Sequence, residues 1–116
     1  MDGPRTPRER FTVDLRRTVE RVRTLGLDRL RASFDPEPTR ADAALDVAQQ
    51  LADAAADLEA GPRRTLPRLS VAAVGDQVAV CGHDLLAATG GAPDPTYADQ
   101  LLTHAADALL DLRRRI

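Results

Sequence analysis

The sequence predicts an all-α protein, an antiparallel four-helix bundle in up-down-up-down order with a face suited to dimerisation. Three observations predict it. Residues 71–88 carry two adjacent non-polar lines at helical spacing: Val71, Val74, Val78, Cys81, Leu85 and Ala88, and beside them Ala72, Gly75, Ala79, Gly82, Leu86 and Thr89. A helix non-polar over so wide an arc belongs at the centre of a bundle or against another subunit. Glycine and proline runs divide the chain into four such segments, and short connections favour antiparallel neighbours. The one stretch that also reads as a strand pair is Val71–Gly82, turning at Gly75-Asp76. It has no third strand-like run to extend it, and a lone hairpin is marginal in water.

The first helix opens at Thr6-Pro7-Arg8-Glu9, which has capping-box spacing with proline at the first helical position. Phe11, Leu15, Val19, Val22, Leu30 and Phe34 give its apolar stripe. Gly26 sits where the helix bends or ends, and the run Phe34-Asp35-Pro36-Glu37-Pro38 stops it. The second helix starts at Thr39, whose hydroxyl caps it while Asp42 lies in the electropositive first turn. Its stripe is Ala41, Leu45, Ala48, Leu51, Ala55 and Leu58, ended by Gly61-Pro62. A loop, Arg63 to Leu69, leads to the third helix at Ser70, with Leu69 and Val74 at staple spacing. Gly90-Gly91 ends the third helix. Asp94-Pro95 opens the fourth, whose inward residues are Ala98, Leu101, Leu102, Ala105, Leu109 and Leu112. Arg113, Arg114 and Arg115 suit the negative end of its dipole.

The 116 residues form one domain, 1–116, with 1–5 expected to be flexible. Charge is segregated along it. Residues 1–34 hold nine arginines against five acids, residues 35–60 hold one against seven, residues 61–68 add three bases, and residues 69–111 hold six aspartates and no base. In the expected order the first helix touches the second and the fourth, both acidic, which selects the arrangement more than it stabilises it. Met1-Asp2-Gly3-Pro4-Arg5 leads into charge without an apolar core, so no secretory signal is expected. No apolar run approaches the ~20 residues of a membrane span. A cytoplasmic protein is expected, its single Cys81 a reduced, buried thiol.

Every one of the 16 basic residues is arginine, and the chain has no lysine or tryptophan. The codon bias of a G/C-rich bacterial genome accounts for this. Without lysine there is no Schiff-base chemistry, no lysine-linked pyridoxal cofactor and no GxxxxGK[ST] phosphate loop. Ser33 and Ser70 leave little material for serine hydrolysis. No cofactor and no metal site is expected. Cys81 and His83 point to different sides of a helix, Asp76 and His83 lie about 10 Å apart along it, and His104 stands among Asp107 and Asp111 as a boundary residue.

Two surface features remain. Asp76, Gln77, His83 and Asp84 surround Val80 on the polar side of the third helix, where His83 faces solvent. An exposed imidazole beside a carboxylate can accept a phosphoryl group. His83-Asp84-Leu85 followed by Ala87-Ala88-Thr89-Gly90 resembles the phosphoacceptor helix of histidine phosphotransfer domains, and its start is similar to the dimerisation helix of sensor kinases. The resemblance covers fewer than ten residues and departs at Leu86, where those domains hold lysine, and at Ala87, where they hold glycine. It implies a helical bundle with His83 as phosphoacceptor. The second feature is the first helix, with Arg10, Arg17 and Arg21 on one line and Arg16 and Arg23 on another. Asp14 and Glu20 interrupt them, the net charge is −2, and aromatics are scarce, so internal pairing explains them better than DNA or RNA.

The functional expectation is a small non-enzymatic bundle that binds another protein, or a second copy of itself, as an accessory or regulatory subunit. Its interface is expected on the small-residue line, Ala72, Gly75, Ala79, Gly82 and Leu86. Gly75, Ala79 and Gly82 also leave a shallow trough that a neighbouring helix would fill. Phosphotransfer through His83 and nucleic-acid binding through the first helix are the alternatives.

Overall fold

A computed structural model describes residues 5–34 and 38–116. The expectations for residues 1–4 and for the Asp35-Pro36-Glu37 stop fall outside them. Five α-helices follow in order: α1 (Pro7–Thr24), α2 (Leu27–Arg31), α3 (Arg40–Leu58), α4 (Val74–Gly90) and α5 (Pro95–Arg115). A single 3₁₀ turn, Val71–Ala73, leads into α4. Among the described residues there is no strand, only an isolated antiparallel bridge between Ser33 and Thr39. The hairpin alternative over residues 71–82 is therefore replaced by helix. No described helix is long and apolar enough to cross a membrane.

The local signals act as written. Thr6 Oγ1 accepts from the Glu9 amide at 3.1 Å, Thr39 Oγ1 from the Asp42 amide at 3.0 Å, and Asp94 Oδ1 from the Thr96 and Tyr97 amides at 3.0 and 3.3 Å. Gly26 ends α1 with φ +82°, a conformation glycine adopts without steric cost, and α2 starts beyond it. Two ends differ from expectation. Ser70 makes no side-chain capping bond and Leu69 is 54 % exposed, so α4 is entered through the 3₁₀ turn without the staple. At the end of α3 the left-handed residue is Ala60, φ 53°, not Gly61. The Gly61 amide reaches back to Ala56 O and the Ala60 amide to Asp57 O, which satisfies the last carbonyls in a Schellman arrangement with the glycine one place late.

The core is a single cluster, with Phe11, Leu51, Leu85, Leu102, Leu109 and Leu112 among its fully buried members. The predicted inward line of α4 is buried from Val74 to Ala88, with Val71 half-buried at its start. Helix α3 is buried over a wider arc than its stripe implied, because Ala43, Ala44 and Val47 are covered as well. Alanine lets neighbours approach from two sides.

The connectivity corrects the up-down-up-down expectation. Helix α1 packs on α4 and α5, and α3 packs on the same two; α1 and α3 share no extensive contact. The register gives the directions. Arg10 meets Asp107, Thr18 meets Leu109 and Arg21 meets Ile116, so α1 and α5 run the same way. Arg8 meets Leu86 while Arg23 meets Asp76, so α1 and α4 run oppositely. Ala41 and Leu45 lie beside Val71 and Val74, and Ala55 beside Asp84 and Ala87, so α3 and α4 are parallel. The order is up-down-down-up. The reason is the segment 61–70, which is not a tight loop but an extended strap laid back along α3. Ten extended residues reach roughly 30 Å, enough to return along a 19-residue helix of about 28 Å.

The strap is tied down by polar contacts. Gln49 donates to Arg64 O at 2.9 Å and accepts from the Leu66 amide at 2.8 Å, so its side-chain amide pairs with the strap as a neighbouring strand would. Arg63 forms a bidentate pair with Asp57 at 3.0 and 2.7 Å, Arg68 pairs with Asp42, and Gln77 of α4 donates to Pro67 O at 2.9 Å. The acidic charge of α3 is thus met by Arg63 and Arg68 of the strap rather than by α1. The molecule measures 42 × 41 × 21 Å, about two helices thick along its shortest direction.

Candidate functional site

The face formed by α1 and α4 gathers most of the residues singled out in the sequence. Gly75 and Gly82 are buried there. A β-carbon on Gly82 would lie 2.4 Å from Leu15 Cδ1 and 3.0 Å from Leu15 Cγ, and one on Gly75 would lie 3.0 Å from Arg23 Cγ. The small-residue line therefore does what small residues permit, and its neighbour at these two positions is α1 of the same chain. Ala79 and Leu86 are half-buried along the edge of that contact, and Ala72 is exposed.

Between the two helices runs a groove of about 420 Å³. Val13, Leu15 and Val19 from α1 and Ala79 and Leu86 from α4 form its apolar lining, while Arg16, Glu20 and His83 stand at its rim. Val80, one residue beyond Ala79, is 58 % exposed, the most exposed large apolar side chain among the described residues. Val80 does not line the groove, but it stands exposed on the same helix as Ala79 and Leu86, which do.

The polar patch around Val80 is divided in its duties. Asp76 pairs with Arg23 at 2.6 Å, and Gln77 is half-buried against the strap. His83 and Asp84 are both exposed, and His83 alone of the four lines the groove. Cys81 is buried; burial, and after it the charge of Asp84, push its thiol above the usual range, which disfavours the thiolate. Among the described residues no three histidine, cysteine, aspartate or glutamate side chains converge as a metal site. His104 is exposed on α5.

The arginines of α1 are largely engaged. Arg8 donates to Leu86 O at 3.1 Å and Thr89 Oγ1 at 2.7 Å, Arg10 pairs with Asp107, Arg21 donates to Ile116 O at 2.7 Å, and Arg23 holds Asp76. The line Arg10, Arg17, Arg21 is thus broken up by α5, while Arg16 and Arg17 make no side-chain hydrogen bond or ion pair among the described residues. A second use of arginine went unread in the sequence. Phe34, expected in the apolar stripe, lies between the guanidinium groups of Arg40 and Arg115, 5.0 and 4.6 Å from its ring centroid.

The α1 half of the groove was also missed. Val13 and Glu20 fall outside any apolar stripe, and only the antiparallel contact with α4 brings them beside Ala79 and His83. No family model matches the chain, and neither a curated protein nor a solved structure matches it.

Proposed function

We propose that this protein is a non-enzymatic binding module, its four long helices forming an up-down-down-up bundle that presents the α1/α4 face to another protein. The observation that carries the reading is the apolar groove with Arg16, Glu20 and His83 at its rim, together with the exposed Val80 on the same helix α4. An apolar groove rimmed by charge is the ordinary signature of a protein contact. The test is capture of a partner from host extract by the chain bearing a crosslinker beside the groove, compared with Val80→Arg. A captured species lost on that substitution supports the reading; capture insensitive to it removes the face from the interface.

A second reading is favoured by one observation: His83 is exposed at the groove rim beside Arg16, a cation suited to a phosphoryl group. Incubation with a labelled phosphodonor, with His83→Gln alongside, tests it. Label on the parent that His83→Gln loses supports phosphotransfer, and an unlabelled parent ends it.

A further inference from the structure

We infer that the cavity at the N-terminal end of α3 is a binding site for a small aliphatic carboxylate. The cavity holds about 240 Å³ and lies where the end of α2, the start of α3 and the strap's entry into α4 come together. It shares no lining residue with the α1/α4 groove, so it stands or falls apart from the protein-binding reading.

The floor is apolar. Ala41 offers only a methyl group to the space, and Leu69 does not close onto Val74 as a staple would. Leu69 instead lines the cavity while 54 % exposed, beside the half-buried Leu45 and Val71 and the buried Val74. A large apolar side chain is thus left to water next to a concave apolar surface. A short hydrocarbon chain laid on that surface would cover it.

The polar part is cationic. Arg31 of α2 and Arg68 of the strap line the same cavity. The Arg31 side chain is exposed and makes no hydrogen bond or ion pair among the described residues. Arg68 pairs with Asp42, the one acidic residue that lines the cavity. Two guanidiniums against one carboxylate leave a single positive charge, which suits a monoanion. The two oxygens of a carboxylate can accept from both guanidiniums at once, using the donors of Arg68 that Asp42 leaves over. Ser70, exposed and without a capping bond, adds a hydroxyl at the same wall. An amine of the same length would meet like charge, and an alcohol would gain only the floor.

Calorimetric titration with hexanoate, together with methyl NMR spectra that locate it, tests this on the full chain. Hexanoate should saturate one site per chain and shift the methyl resonances of Leu45, Val71 and Val74, leaving those of Val13 and Val19 in the groove unmoved. Each methylene added between acetate and hexanoate should tighten binding about two- to fourfold. Hexylamine should not bind. Arg31→Glu should weaken hexanoate at least tenfold, about the loss of one charge-assisted contact, and Arg31→Gln should fall between it and the parent. Arg31 is exposed, and circular dichroism verifies that both variants keep their helices. The absence of heat and shifts with hexanoate, shifts confined to the α1/α4 groove, hexylamine binding as well as hexanoate, or an affinity that ignores both Arg31 substitutions overturns the inference. The Val80→Arg capture reads the α1/α4 face alone, so either proposal can fail without the other.

Discussion

Along α1, the side that faces α4 and the side that faces α5 are built from different materials. Toward α4 the contact is close and apolar, with the Gly82 backbone directly against the Leu15 side chain. Toward α5 it is polar and buried. Asp14 and Thr18 are 8 % and 0 % exposed, and Arg113 ties them together. Its guanidinium donates to Asp14 Oδ1 at 3.0 Å, to Asp14 O at 3.1 Å and to Thr18 Oγ1 at 3.1 Å, while Thr18 donates onward to Leu109 O at 3.3 Å. A close apolar contact tolerates any register its shape allows. A buried network of fixed donors and acceptors is satisfied at one register only, so it is the α5 side that sets how α1 and α5 lie in parallel.

The contrast can be broken from the apolar side first. Gly82→Val adds a branched side chain where even a β-carbon collides with Leu15, and should cost about 3 kcal/mol in urea unfolding. Leu15→Ala in the same chain should restore part of that loss, since the two positions share one space. On the polar side, Asp14→Ala leaves a largely buried guanidinium short of its carboxylate and should cost about 2 kcal/mol. Replacing the pair with Asp14→Leu and Arg113→Met should come within about 1 kcal/mol of the parent, while losing register specificity. The loss would be seen as broadened α5 resonances in NMR spectra.

Two smaller effects come from the strap and its entry, away from α1. Ala60→Gly relieves a left-handed alanine and should stabilise by about 0.5–1 kcal/mol, visible as a higher melting temperature. The Arg68 side chain holds the Asp42 carboxyl below its usual range, and Arg63 does the same for Asp57. A lowered folded-state value means the stabilisation is complete above the unfolded carboxylate value of about 4 and is lost as pH falls through the folded values. Hydrogen exchange at the Leu66 amide should therefore be steady from neutral pH down to about 4, after correction for intrinsic rates, and accelerate below it. Exchange in the core of α1 should change later.

The contrast also explains what could be read from the sequence. Caps at Thr6, Thr39 and Asp94 are local chemistry, complete within four residues, and they were legible. So was the dry line from Val74 to Ala88, because periodicity records which side of a helix is covered. Periodicity does not record what covers it. The neighbours of α1 depend on where the strap goes, and the strap's course depends on Gln49 and on arginine pairs with α3. The three bases of residues 61–68 opposite the acids of 35–60 carried that information, but charge balance alone names no path. Asp14 read as an interruption of the arginine lines and Thr18 was not singled out, since a buried polar residue makes sense only beside its partner 95 or 99 positions away. The candidate site divides the same way. Its α4 half, with Ala79, His83 and Leu86, was legible, whereas Val13, Arg16 and Glu20 belong to it only through the tertiary contact.

The parallel setting of α1 and α5 has a consequence for biosynthesis. Helix α1 emerges from the ribosome first, yet both helices that cover its apolar stripe come from the second half of the chain. Its contacts with α5 join residues 91 to 99 positions apart. At ordinary elongation rates of about 5–20 residues per second, Phe11, Leu15 and Val22 wait several seconds for shelter. Closing so distant a contact is the slow step that topology imposes, and the arginines spaced through α1 keep the waiting segment charged in the meantime.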